Sequence, residues 1–158
     1  MSGEKEFFLT REGLKKIKKE YQSLLEEREK IIKAGVPPVL QSEEANPDYL
    51  SFKEEIELID KKIFYLKDVL EKVKLIRKPP KQKRNIVSLG ATVLLGVDGN
   101  LSQFKIVSSL EADPSLGKIS IQSPVGNSLL GHKVGDIVLV SARPKKLYKI
   151  KKIIYEDI

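Results

Sequence analysis

Residues 49–73 read YLSFKEEIELIDKKIFYLKDVLEKV. Within them Tyr49, Phe52, Ile56, Ile59, Ile63, Leu66, Leu70 and Val73 recur at steps of three and four without a gap. That spacing, about 3.5 residues on average, keeps one apolar seam turned toward a partner along a gently supercoiled pair of helices. Upstream, Leu14, Ile17, Tyr21, Leu24 and Ile31 keep the same rhythm, with Arg28 in the one missing position. Thr10 is placed to accept from first-turn amides, and Glu12 suits the positive end of the helix dipole. Gly35 with Pro37 and Pro38 stops the run. The pattern predicts a first helix over residues 11 to 34. A second starts near Pro47, which fits only a first turn, and ends before Pro79 and Pro80. A short connection makes the two antiparallel neighbours within one chain, so a monomer is expected.

The period changes near residues 76 to 86. Arg77-Lys78-Pro79-Pro80-Lys81-Gln82-Lys83-Arg84 is basic and proline-containing and reads as a stiff, exposed linker. Beyond it, Ala91 to Leu95, Phe104 to Val107, Lys118 to Gln122, Ile137 to Ser141 and Leu147 to Ile154 are short β-prone runs. Asp98-Gly99 is a hairpin turn that needs positive φ. Ser123 as cap, Pro124 in the first turn and Gly131 at the close define one short helix. The expected architecture is α+β. An N-terminal antiparallel coiled-coil hairpin occupies residues 1–76, a basic linker 77–85, and a small antiparallel β domain with one short helix 86–158.

The chain has 158 residues, no Cys and one His, with 29 Lys and Arg against 22 Asp and Glu, a formal charge of +7. A large multidomain enzyme, disulfide staples, thiol nucleophiles and zinc knuckles are excluded. Any metal must be held by oxygen. The charge favours a polyanion or an acidic protein surface. With no signal-like or membrane-spanning apolar stretch, the expectation is a soluble cytoplasmic protein.

Taken together, several motifs carry a resemblance. They are Leu9-Thr10-Arg11-Glu12-Gly13-Leu14; Tyr49 with Lys53-Glu54-Glu55; Leu89-Gly90-Ala91-Thr92-Val93; Gly117-Lys118-Ile119-Ser120; Ser123-Pro124-Val125-Gly126; and Leu129-Leu130-Gly131-His132-Lys133-Val134-Gly135-Asp136. In these the chain resembles the Gre family of bacterial transcript cleavage factors, GreA and GreB, over nearly its whole length. The resemblance implies an FKBP-like second domain that docks on RNA polymerase. It also implies a hairpin that enters the secondary channel and brings its tip to the 3′ end of backtracked RNA. The protein would then be an accessory factor, not an enzyme, that stimulates the polymerase's own cleavage of the transcript.

The tip is a local inversion of charge. No Lys or Arg lies between Lys33 and Lys53, while Glu43, Glu44 and Asp48 do. Such carboxylates suit a Mg²⁺ held by polymerase and the water attacking a phosphodiester; they equally suit a solvated loop before a helix N-terminus. The family tip reads Asp-Leu-Ser-Glu-Asn. Alignment on Ser42-Glu43 puts Leu40 where the Asp stands, and matches Asn46 only with about two residues inserted. The resemblance thus carries catalytic and metal-binding roles to Glu43 first, with Glu44 and Asp48 as substitutes, and no cofactor in the isolated protein. Leu40 motivates an alternative, a channel-binding regulator without cleavage. A third reading is an FKBP-like isomerase or chaperone with a coiled-coil arm.

Other candidates are plainer. Lys15, Lys16, Lys18, Lys19 and Lys33 form either an RNA-steering flank or a solvated face balanced by Glu20, Glu26 and Glu27. The run from Gly126 to Lys133 imitates a phosphate loop but lacks the hydroxyl after its Lys, so its glycines read as helix and turn devices. His132 reads as a turn residue beside them.

Overall fold

The computed structural model describes residues 6–37 and 46–156. Its order is β1 (Phe7–Leu9), α1 (Arg11–Ala34), α2 (Pro47–Glu71), β2 (Val73–Leu75), β3 (Thr92–Val97), β4 (Asn100–Val107), β5 (Lys118–Ser120), α3 (Pro124–Leu129), β6 (Ile137–Val140) and β7 (Lys146–Ile154). The expected α+β arrangement holds: two long helices, then a strand-rich domain with one short helix. Two compact units divide the chain, Met1–Glu6 with Leu14–Val73, and Phe7–Gly13 with Lys74–Ile158.

In the first unit the apolar rhythm is realised as burial. Ile17, Leu24, Ile59, Leu66 and Val69 are buried, and Tyr21, Phe52, Ile56 and Ile63 are partly covered. Arg28, the polar interruption of the seam, sends Nε to Asp60 Oδ1 at 2.5 Å. That bond and the adjacent charge raise the Arg28 pKa above its ordinary value. A single polar pair in an apolar seam favours one register over its neighbours. α1 closes with the Gly35 amide donating to the Ile32 carbonyl at 3.1 Å, Gly35 having φ +100°.

The second helix is shorter than its pattern suggests. It ends at Glu71, and Val73–Leu75 turn instead into a strand paired with Phe7–Leu9. The Ile76 amide donates to the Leu9 carbonyl at 2.9 Å. No breaker stands at residue 72, so a long-range strand partner overrides local helical preference. Phe7–Gly13 belongs to the same compact unit as Lys74–Ile158. Residues 77–85 carry order of their own: a 3-10 turn at Lys81–Lys83, with Arg84 Nε donating to the Pro79 carbonyl at 3.0 Å.

The start of α1 is held by a residue far along the chain. Thr10 Oγ1 accepts from the Gly13 amide at 3.0 Å, the expected cap. Thr10 also donates from its amide to Glu111 Oε2 at 2.8 Å and from its hydroxyl to Glu111 Oε1. A Cβ on Gly13 would lie 2.2 Å from the Glu111 carboxyl carbon, so any other residue there would have to displace this carboxylate.

The second unit centres on a five-stranded sheet in the order β5-β4-β3-β7-β6. The β3–β4 hairpin turns through Asp98 (φ +50°) and Gly99 (φ +79°), as the Asp-Gly pair requires. The sheet is antiparallel except at one edge, where β4 and β5 run parallel, Lys105 opposite Lys118. Two 3-10 turns, Ser109–Glu111 and Pro114–Leu116, return the chain to that direction. Val87, Val93, Leu95, Ile106, Leu129, Val138 and Ile150 form the core. Tyr155 belongs to it too: its hydroxyl donates to the Ile86 carbonyl at 2.6 Å and accepts from the Ser88 amide at 2.9 Å. At α3, Ser123 Oγ accepts from the Gly126 amide at 3.1 Å and donates to the Ser120 carbonyl at 2.7 Å. A Cβ on Gly126 would lie 2.1 Å from that carbonyl oxygen.

After α3, the Lys133 amide donates to Asp136 Oδ2 at 2.8 Å and His132 Nδ1 lies 3.2 Å from the same oxygen. The Lys133 bond is the first cause, and the His132 contact a lesser one, that lowers the Asp136 pKa below 3.8.

Tyr155→Phe leaves the Ser88 amide and Ile86 carbonyl unpaired and should cost about 1–3 kcal/mol in urea unfolding. Gly126→Ala should cost about 1–3 kcal/mol by forcing backbone apart. A depressed folded pKa contributes stability that is complete above the ordinary aspartate value of 3.8 and lost as pH falls through the folded one. The urea midpoint of the unmodified chain should therefore exceed that of Asp136→Asn at neutral pH, and the gap should close in acid. A gap independent of pH would contradict this.

Candidate functional site

The residue types of the segment Asn46-Pro47-Asp48 set the start of α2. Asn46 Oδ1 accepts from the Asp48 amide at 3.1 Å and the Tyr49 amide at 3.3 Å, and Asn46 is buried. Pro47 occupies the first turn, where its missing N–H costs nothing. Asp48 is thereby fixed in the first turn with its side chain exposed, near the positive end of the helix dipole. Glu43, Glu44 and Leu40 lie outside the described residues, so of the three acids singled out by sequence the structure places Asp48. Among the described residues no group of three His, Cys, Asp or Glu side chains stands ready to hold a metal. Asp48 offers the hard carboxylate oxygens that Mg²⁺ prefers, and a full shell around such an ion needs further oxygens beside it.

Asn46 is the residue whose role sequence comparison obscured. Matched to the family's tip Asn only across an insertion, it acts here as a helix cap. The signal was local: Asn-Pro-Asp directly before an apolar-periodic run is a helix start.

A second feature lies on the sheet. β6 is an edge strand whose Val138 and Val140 are buried, while Ile137 and Leu139 are 63% and 53% exposed. Leu139 stands directly opposite Leu147, itself 60% exposed, and Ile137 stands opposite Lys149. Three large apolar side chains on one outward face, with lysine beside them, mark an interaction surface more than a solvated sheet face. Sequence reading missed this face because Ile137-Val138-Leu139-Val140 is apolar at every position, so alternation cannot tell inside from outside.

His132 stays with Asp136 in its turn. The glycines of the phosphate-loop imitation serve backbone ends: Gly126 packs on Ser120 and Gly131 has φ +78°. The lysines of α1 point to solvent; Lys33 pairs with Glu29 at 2.6 Å. No described helix is long and apolar enough to cross a membrane.

Comparison with known proteins gives the following matches. A family model described as transcription elongation factor, GreA/GreB, C-terminal part, matches residues 81–155. The transcription elongation factor GreA of Thermomicrobium roseum is 36% identical over 132 residues, covering 82% of this chain and 85% of that protein. That of Bacillus licheniformis is 37% identical over 158 residues, covering 97% and 99%. Among solved structures, GreA factor homolog 1 of Thermus thermophilus aligns over 95% of this chain and 99% of its own at 24% identity, with a TM-score of 0.42.

Proposed function

This chain belongs to the GreA/GreB family of transcription elongation factors, and we propose that it binds RNA polymerase and stimulates the polymerase's own cleavage of backtracked transcripts. The observation that carries this is the likeness to transcription elongation factor GreA along nearly the whole chain. In this reading the protein acts as a cytoplasmic monomer and an accessory factor. The hairpin enters the secondary channel, and the second unit docks through the exposed face of Ile137, Leu139 and Leu147.

Glu43, Glu44 and Asp48 would hold a Mg²⁺ jointly with polymerase side chains. Such an ion, when bound, supplies Lewis-acid polarisation of the scissile phosphate. The chain's own part is to deliver negative charge at the end of a helical arm, free of competing lysine or arginine between Lys33 and Lys53. Asn46 fixes where Asp48 sits, in the first turn of α2. Leu40 in place of the family's Asp favours a second reading, occupancy of the channel without cleavage.

The test is a transcript-cleavage assay on a backtracked cognate polymerase. Exchanging Glu43 and Glu44 for Gln should lower cleavage by orders of magnitude with little loss of binding, since these groups act on the reacting centre and not on docking. Asp48→Asn should give a comparable loss if Asp48 takes the place vacated at Leu40. Leu139→Asp should weaken polymerase binding about tenfold or more with the fold intact. An unmodified protein that binds but never stimulates cleavage would leave the channel-blocking reading in place. A stable dimer in sedimentation would overturn the monomeric hairpin.

A further inference from the structure

β1 alternates: Phe7 and Leu9 are buried and Phe8 between them is 40% exposed. Across from it, Leu75 of β2 is 41% exposed, while Ile76 is buried and tied to the Leu9 carbonyl. These two side chains and Ile76 line a cleft of about 970 Å³ together with four cationic residues, Arg11, Lys74, Arg77 and Lys78. Among the described residues no carboxylate lines it. Lys74 and Lys78 engage other groups of the chain, whereas among the described residues Arg11 and Arg77 make no ion pair. Pro79 and Pro80 directly follow and bar a helix there, which leaves Arg77 on an irregular, exposed stretch.

Four cationic side chains gathered around one hollow repel one another and concentrate anions in it. Two unengaged guanidinium forks match the geometry of phosphate oxygens, and a half-exposed aromatic ring beside them offers a face for a planar base. A solvated basic patch needs no ring, and a plain anion site needs no apolar wall. The volume falls in the range of small-molecule pockets.

We propose that this cleft is a nucleotide site, in which Arg11 and Arg77 bind phosphate and Phe8 stacks on the base. It stands at the Arg11 end of α1, opposite in sequence to the acidic segment, and does not depend on the cleavage reading. The phosphate and base come either from a free nucleotide or from single-stranded RNA, which share this chemistry.

Calorimetry on the full chain distinguishes these, with ATP, inorganic tripolyphosphate and octauridylate as probes. ATP or octauridylate should bind at least about tenfold more tightly than tripolyphosphate, a margin in keeping with base stacking. Phe8→Ala should remove that margin and leave tripolyphosphate binding unchanged. Phe8→Leu, which keeps the apolar bulk without the ring, should do the same if the alanine variant folds poorly. The Arg11→Ala, Arg77→Ala double variant should weaken all three probes and lower the salt slope for octauridylate by about 1.4. Tighter binding of ATP assigns a free nucleotide, and tighter binding of octauridylate assigns RNA. The proposal is overturned by absence of binding for both, by tripolyphosphate binding as well as either, or by variants of Phe8 or the arginine pair that bind unchanged. Because no polymerase is present, failure here leaves the cleavage reading untouched.

Discussion

The Glu111 carboxylate is the constraint around which the chain's two passages through the second unit are arranged. Both its oxygens accept from Thr10, one from the amide and one from the hydroxyl, while Thr10 in turn caps the Gly13 amide. A threonine that only capped a helix would satisfy one orphan amide; this one is itself held across 101 positions of sequence. The absence of a side chain at Gly13 is what lets the carboxylate approach. With Thr10 fixed, Leu9 is fully buried, and its carbonyl is available to the Ile76 amide. The strand pairing that ends α2 early follows from the same anchoring. A carboxylate bonded by two donors is stronger than a neutral acceptor would be, which suits a contact whose partners lie far apart in sequence.

A comparable economy operates at Ser120. Its carbonyl accepts from the Ser123 hydroxyl, and Gly126 packs so closely that a methyl group would collide with it. Cap, proline and glycine in Ser123-Pro124-Val125-Gly126 are thus one device that seats a two-turn helix on an edge strand. That device delivers Leu129, fully buried, into the core. The motif has a structural cause at every position, which is why its glycine need not be read as a phosphate-binding residue.

What was legible in the sequence was local. The seam of three-and-four steps, the Thr10 cap, the Asp98-Gly99 turn and the Ser123-Pro124 helix start each depend on residues within one turn or one hairpin, and each is present. What was not legible depended on distant partners. Val73–Leu75 continue the helical rhythm and become a strand only because Phe7–Leu9 is there to pair. The parallel edge of β5 follows from two 3-10 turns, and Glu111 gives no local sign that Thr10 is its partner. Tyr155, between Ile154 and Glu156, carries no local sign that its hydroxyl bonds Ile86 and Ser88. The exposed face of β6 was hidden for the opposite reason: a uniformly apolar strand carries no alternation to read. Of the candidate acids, only Asp48 had a local rule to place it, the Asn46-Pro47 helix start.

That rule bears on how a site at the end of the hairpin can change without loss of the fold. Asn46 and Pro47 secure the helix start by themselves, one by bonding two amides and the other by needing no bond. Asp48 gains from the dipole but is not required for the cap, so its carboxylate is available to a partner at little cost to the helix. The physics of the helix start therefore separates scaffold from charge. The scaffold is set by Asn46 and Pro47, and the Asp48 side chain is left exposed beside it. A change at Asp48 then leaves the cap in place while the apolar seam, beginning at Tyr49, continues to hold the helix.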